Sequence, residues 1–375
     1  MTPKERMYAA IEGRQPDILP VAASYVMLSN ADHWEELTGL PVWKYYEWSL
    51  TADMGWYREI SRLIYGQLPF DVVQPMVCNH NYRGENIAVV EKGGKHFFHD
   101  KKKGTYTPVP ETIHESGSGG GENETRYIFT KQDARERLKV VKMEQLIANG
   151  NPYLEETVKL YGDTHFILGS GIVNTFFSNV YHVGMMEFYA MLHEEPELVK
   201  YISELVLEQN IEYIRAVGKS GSDAMFIDDA TATSDMISVR MYEEFSLPYM
   251  IEQVKEIKRQ GMKAFVIYFG GISDRVEQIA STGADVLMME TSMKGYVNDY
   301  TSIARRLGGQ ICLAGNLDPY GDIELLSDEG LEARMTVMAK AGREYGRYFT
   351  CTGSPLTPKT PLKRIQKYID IGHRL

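Results

Sequence analysis

A chain of 375 residues, 43% hydrophobic and 24% charged, is long enough for one large α/β barrel or two ordinary domains, and a core of that size needs neither disulfide nor metal. A formal net charge of −11 argues against a nucleic-acid surface as the main business, although a local pocket can still carry the opposite sign. The three cysteines, Cys78, Cys312 and Cys351, fit no disulfide framework or zinc ribbon; no segment reaches the roughly 18 uninterrupted apolar residues of a membrane span; and the charged opening "MTPKERMYAAIEG" has no signal-peptide apolar region. The expectation is a soluble cytoplasmic enzyme with no nucleic-acid or membrane partner.

In chain order, "TPKERMYAAIEGRQPD" predicts a helix with Thr2 as N-cap, Pro3 at the first helical position and Gly13 as its stop, and "DILPVA" predicts a short strand. An aromatic region with all four tryptophans (Trp34, Trp43, Trp48, Trp56) follows at helical spacing and reads as core or lid packing. "DVVQPMV" (71–77) reads as a further strand, and residues 86–130 as a β-meander whose first hairpin turns at Gly93–Gly94. "ESGSGGGENE" resembles a phosphate loop only in glycine content, because it lacks the GKS/T ending and a following helix.

From Asp163 the rhythm becomes strand, helix, strand. Strands are predicted at 164–170, 224–229, 263–270, 285–290, 310–316 and 347–353, with amphipathic helices between them such as 195–217, 241–261 and 274–283. The strands are apolar almost throughout, as they must be when both faces are covered. This alternation predicts a (β/α)8 TIM barrel over residues 1–375, with an N-terminal helical and aromatic extension and the meander as an insertion.

In such a barrel the C-terminal strand ends and the loops after them build the active site. Read in order, those ends offer Ser170 and Asn174, the pair Asp228–Asp229, Tyr268, Glu290, Asn316 and Ser354, with Tyr25 and Met27 supplied by the first strand region. Adjacent strand residues point to opposite faces, so only one of Asp228 and Asp229 is expected to face the barrel mouth. A partly desolvated carboxyl at Glu290 would keep its proton near neutral pH and act as a general acid, or else pair with a loop lysine such as Lys294. His182 belongs to a segment over the mouth or to the core. Cys78–Asn79–His80 places two metal-ligand types together, which is too few for a site.

The segments "MTPKERMYAAIEGRQPDILPV", "IDDATATSDMISVRMYEEFSLPYM", "AGNLDP" and "GSPLTPKTPLKRI" resemble the uroporphyrinogen decarboxylase superfamily across nearly the whole chain. The resemblance implies a TIM barrel and one of two chemistries, decarboxylation of porphyrinogen acetates or cobalamin-dependent methyl transfer. In the methylcobalamin:thiol branch a His-x-Cys…Cys set holds zinc; the matching positions here are Tyr268, Gly270 and Ser354, so no zinc is expected. The decarboxylase branch carries an arginine-rich segment near its first strand, whereas "VAASYVMLSNADHW" contains none, which speaks against a polycarboxylate porphyrin substrate.

What remains is a demethylase half-reaction: a methyl group moves from a small aromatic methyl ether to cob(I)alamin carried by a partner corrinoid protein. Tyr268, Glu290, Asp228 or Asp229 would protonate the leaving oxygen, and Tyr25, Met27, Asn174, His182, Asn316 and Ser354 would line the substrate site. The alternatives are a zinc-independent decarboxylase or lyase acting on a smaller substrate, and a non-catalytic ligand-binding barrel.

Overall fold

A computed structural model describes residues 1–79, 84–113, 128–293 and 295–375. The glycine-rich stretch, His80 and Lys294 lie outside the described residues. The strands, in chain order, are β1 (Val72–Val73), β2 (Ile87–Lys92), β3 (Lys95–Asp100), β4 (Thr105–Pro108), β5 (Phe166–Ile167), β6 (Ile172–Val173), β7 (Ala224–Asp229), β8 (Lys263–Tyr268), β9 (Val286–Met289), β10 (Cys312–Ala314) and β11 (Arg347–Phe349).

Strands β6 to β11 pair in order as one parallel sheet, and β1 pairs with β5. Two seams close the cylinder. Leu168, just past β5, bridges Ala224 of β7; on the far side Val21 bridges Thr350 while the Asp71 N–H donates to the Val21 carbonyl at 3.0 Å. With β5 and β6 counted as one interrupted strand and the Val21 segment as another, the wall is the expected eight-stranded parallel barrel. The strand predicted at "DILPVA" is reduced to the Val21 bridge, because the prolines at positions 16 and 20 leave few ladder donors.

Pleat parity sorts the side chains into two layers. Phe166, Leu168, Ala224, Phe226, Phe265, Ile267, Val286, Met288, Cys312, Ala314, Phe349 and Cys351 pack together inside the barrel. The alternate residues, among them Met225, Ile227, Val266, Tyr268, Leu287 and Met289, pack outward against the helices. The N-terminal helix Pro3–Ile11 begins with a full capping box between Thr2 and Glu5. Its Met7, Ala10 and Ile11 join the interior cluster, and the Tyr8 hydroxyl donates to Asp223, just before β7, at 2.9 Å. This helix stoppers the N-terminal end, so a ligand reaches the barrel interior from the strands' C-terminal ends.

The interrupted third strand contains a bulge. Leu168 stands opposite Ala224 and Ile172 opposite Ile227, so Gly169–Gly171 carry one residue more than the partner strand. Gly171 is needed there: a Cβ would lie 2.1 Å from the Phe226 ring. The antiparallel strands β2–β3–β4 turn at Gly93–Gly94 as expected and end at Pro108. His96 stacks on Trp43 with ring centroids 4.0 Å apart, which docks this sheet on helix Val42–Thr51. Trp34 and Trp48 are core residues, as their spacing predicts.

Candidate active site

Two carboxyl groups reach the interior side at the open end, and each meets a tyrosine hydroxyl. Asp228 has the parity of Phe226, and Tyr25 donates to its Oδ2 at 2.5 Å. Its Oδ1 is buried and has no hydrogen-bond partner among the described residues. Burial, with a contribution from the charge of Asp229, pushes Asp228 up to about 7 against the lowering effect of Tyr25. At neutral pH this carboxyl is therefore poised to hold or give up a proton. Tyr181, which is 53% exposed, lies near enough for its phenol to feel the charge of Asp228.

Tyr25 is held there by its backbone. It is a left-handed residue with φ 49° and ψ 47° at the head of helix Val26–Asp32, a conformation costing roughly 1–2 kcal/mol outside glycine. The flanking amides fix it: Ser24 N–H donates to Thr352 Oγ1 at 2.9 Å, and Val26 N–H donates to Gln74 Oε1 at 3.0 Å. The ring lies edge-on to Phe226, with centroids 5.3 Å apart, and tilts against Phe269 at 5.9 Å.

The second carboxyl, Glu290, has the parity of Met288 and lies two strands away from Asp228, about 10 Å along the sheet by ordinary strand spacing. Its Oε2 accepts from the Tyr296 hydroxyl and its Oε1 from Ser354 Oγ at 3.2 Å. Asn316 is buried beside it and donates to the Asn298 carbonyl at 2.9 Å, while its own Oδ1 has no partner among the described residues. Asn298 ties the loop after β8 to its own loop after β9, accepting from Ile272 N–H and donating to the Gly270 and Glu290 carbonyls. Tyr296 and Asn298 were missed from sequence, since nothing in a loop's spacing marks its spanning residues.

The structure thus unites Tyr25 with Asp228, and Glu290 with Ser354. It places the other candidates differently. Asp229 is fully buried in the outer layer and accepts from Asn174 Nδ2 at 2.8 Å, Thr231 N–H at 2.9 Å and Ala232 N–H at 2.8 Å. Asn174 is saturated as well, donating also to Ser246 and accepting from Gln253 and Thr175. Both stitch the loop after β7 to neighbouring helices. Buried Arg275 supports the same loop through the Ala232 and Ile237 carbonyls. Tyr268 corrects the sequence expectation: one residue of parity turns it outward, where it bonds Tyr242 at 2.8 Å, and Phe269 takes the inward place. His182 is half-buried on helix Thr175–Val183, where burial lowers its pKa. Met27 lines a cavity of about 420 Å³ beside Gln74, Ser170 and Phe226.

The sequence profile described as uroporphyrinogen decarboxylase (URO-D) matches residues 118–375, more than half of the chain. The chain belongs to the URO-D family. Among its relatives, the uroporphyrinogen decarboxylase of Coxiella burnetii (strain Dugway) is 27% identical over 187 residues, which is 48% of either chain. That of Chlorobium luteolum is 29% identical over 192 residues, or 49% of this chain and 50% of the other. This URO-D family member therefore aligns with about half the length of the curated relatives it matches. A solved methyltransferase from Methanosarcina mazei superposes with a TM-score of 0.67 at 14% identity, covering 100% of this chain and 99% of that one. At that identity the likeness speaks to the fold, and it agrees with the barrel.

The zinc set of the methylcobalamin:thiol branch does not fit this family member. Tyr268 faces the helices, Gly270 has no side chain, and Ser354 donates its hydroxyl to Glu290. A Cβ at Gly270 would lie 2.6 Å from Thr233 Oγ1, so the position has no room for a ligating side chain without rearrangement. Among the described residues no group of three or more His, Cys, Asp or Glu side chains is placed to hold a metal ion, and no helix is long and apolar enough to cross a membrane.

Proposed function

We propose that this URO-D family member is the methyl-donor half of a corrinoid-dependent methyltransferase, acting on a small aromatic methyl ether. The observation that carries the reading is Asp228, an interior carboxyl raised to about 7, clamped on one oxygen by Tyr25 and without a hydrogen-bond partner among the described residues on the other. An ether oxygen is a poor leaving group, and a proton delivered to it as the methyl–oxygen bond breaks removes most of that difficulty. Asp228 gives that proton to the departing oxygen, which leaves as a neutral hydroxyl compound while the methyl group passes to the acceptor. Tyr25 holds the carboxyl in place, and Phe226, Phe269 and Met27 offer an aryl ring apolar surface. Cob(I)alamin on a partner corrinoid protein would supply the nucleophile. The loops and helices after the strands expose apolar side chains that such a partner could cover, including Tyr181, Met185, Met186, which is 79% exposed, and Val297.

Incubation with free cob(I)alamin and an aryl methyl ether tests this. Methylcobalamin is expected to form, at a rate at least about 100-fold lower in Asp228→Asn. No methylation, or an unimpaired Asp228→Asn, overturns it. The names of the matched relatives favour a second reading, a decarboxylase in which the same proton quenches a carbanion as carbon dioxide departs. Carbon dioxide release without any corrinoid selects that reading.

A further inference from the structure

We propose that the stoppered end of the barrel carries a second ligand site, for a compact phosphate-bearing anion. A cavity of about 350 Å³ opens there, between the residues after the N-terminal helix and the ends of helices Asp328–Tyr345 and Leu362–Arg374. Arg14, Arg343, Arg347, His373 and Arg374 line it, against a single acidic side chain, Asp17. In a chain of net charge −11 this concentration of cations is not an average piece of surface.

The local partners do not absorb it. Asp17 is bound by Arg6 at 2.8 Å, and His373 is held by Asp71 at 2.8 Å. Arg14 and Arg374 make exposed pairs with Glu12 and Glu332, which hold little energy. Arg343 donates to the Leu375 main-chain oxygen, and neither Arg343 nor Arg347 has a carboxylate side-chain partner among the described residues. Cations in a helix's last turn offset its dipole, which accounts for Arg343, His373 and Arg374 by itself. Arg347 is different. It starts β11, is half-buried, and makes one long bond of 3.3 Å to the Ile11 carbonyl, so most of its five-donor fork is unused. A half-buried guanidinium without a counter-charge is unfavourable, and an anion in the cavity completes it. Gly13, left-handed at φ 74°, lies against the Arg347 stem, where a Cβ would come within van der Waals contact at 3.4 Å. The volume suits a small anion, and paired guanidinium forks suit phosphate oxygens.

Calorimetric titration of the full chain with inorganic phosphate and with pyrophosphate, at matched ionic strength, tests the site. One saturable event per chain is expected, with a thermal midpoint that rises with phosphate. Arg347→Met should weaken binding at least about 10-fold, the loss of one charge-assisted fork. Exposed Arg343→Gln, whose fold is not at risk, should weaken it several-fold. Absence of saturable binding, or affinities unchanged in both variants, overturns the site. Tighter binding of citrate than of pyrophosphate overturns the phosphate assignment. None of these readouts depends on methyl transfer or decarboxylation.

Discussion

Asp228 and Asp229 are neighbours in sequence and share one strand, yet they do opposite work. Asp229 lies in the layer between sheet and helices, where amide and hydroxyl donors satisfy it. Asp228, 3.8 Å further back along the chain, faces the interior with one tyrosine and one unpartnered oxygen. Burial raises both, but only Asp229 is answered by enough donors to become a fixed part of the frame. The polar groups of the outer layer hold loops still; those of the inner layer are left with unspent hydrogen-bonding capacity.

The largest effect should fall on Asp228. Its replacement by Asn is expected to remove turnover by 100-fold or more, while wild-type activity falls as pH rises through about 7, because the acid form does the work. Stability follows the same group. A folded-state pKa above the unfolded value makes its contribution full below about 4 and progressively lost up to about 7. Asp228→Asn should erase that slope, so its melting-temperature advantage over wild type should grow across this window and then level off. A flat difference between pH 4 and 8 would show that Asp228 is not the group that titrates.

Asp229→Ala comes next and should act on the frame. Stripping the acceptor from buried Asn174, Thr231 and Ala232 donors is expected to cost about 3 kcal/mol by denaturant titration. Turnover per folded molecule at low temperature should survive; a loss matching that of Asp228→Asn would erase the distinction between the layers. Tyr25→Phe is expected to slow turnover about tenfold and to move the alkaline limb of the pH profile upward, since its hydrogen bond lowers the Asp228 pKa. Tyr268→Phe should be the mildest, costing about 1 kcal/mol for its bond to Tyr242 and leaving the rate unchanged. A rate loss there would mean that parity does not govern the site.

The barrel was legible because its strands are apolar on both faces and alternate with helices, a pattern few architectures share. That same uniformity hid which way each residue points. In "AFVIYFGG" nothing polar alternates with anything apolar, so the sequence offers Tyr268 as a strand-end candidate without showing that Phe269 takes the inward place. The pairing of Tyr25 with Asp228 spans 203 residues, and that of Tyr296 with Glu290 rests on a loop's path; neither leaves a trace in local spacing. Gln74, a lone amide at the end of an apolar strand, was the readable signal that went unused.

The bond from Ser24 to Thr352 joins positions 328 residues apart. During synthesis the tyrosine that meets Asp228 emerges long before the threonine that sets its backbone. Contacts of such separation form late and slowly. The pairing of Tyr25 with Asp228 is therefore withheld until that threonine has been made, and only a barrel whose β11 end has docked against the Val21 segment acquires it.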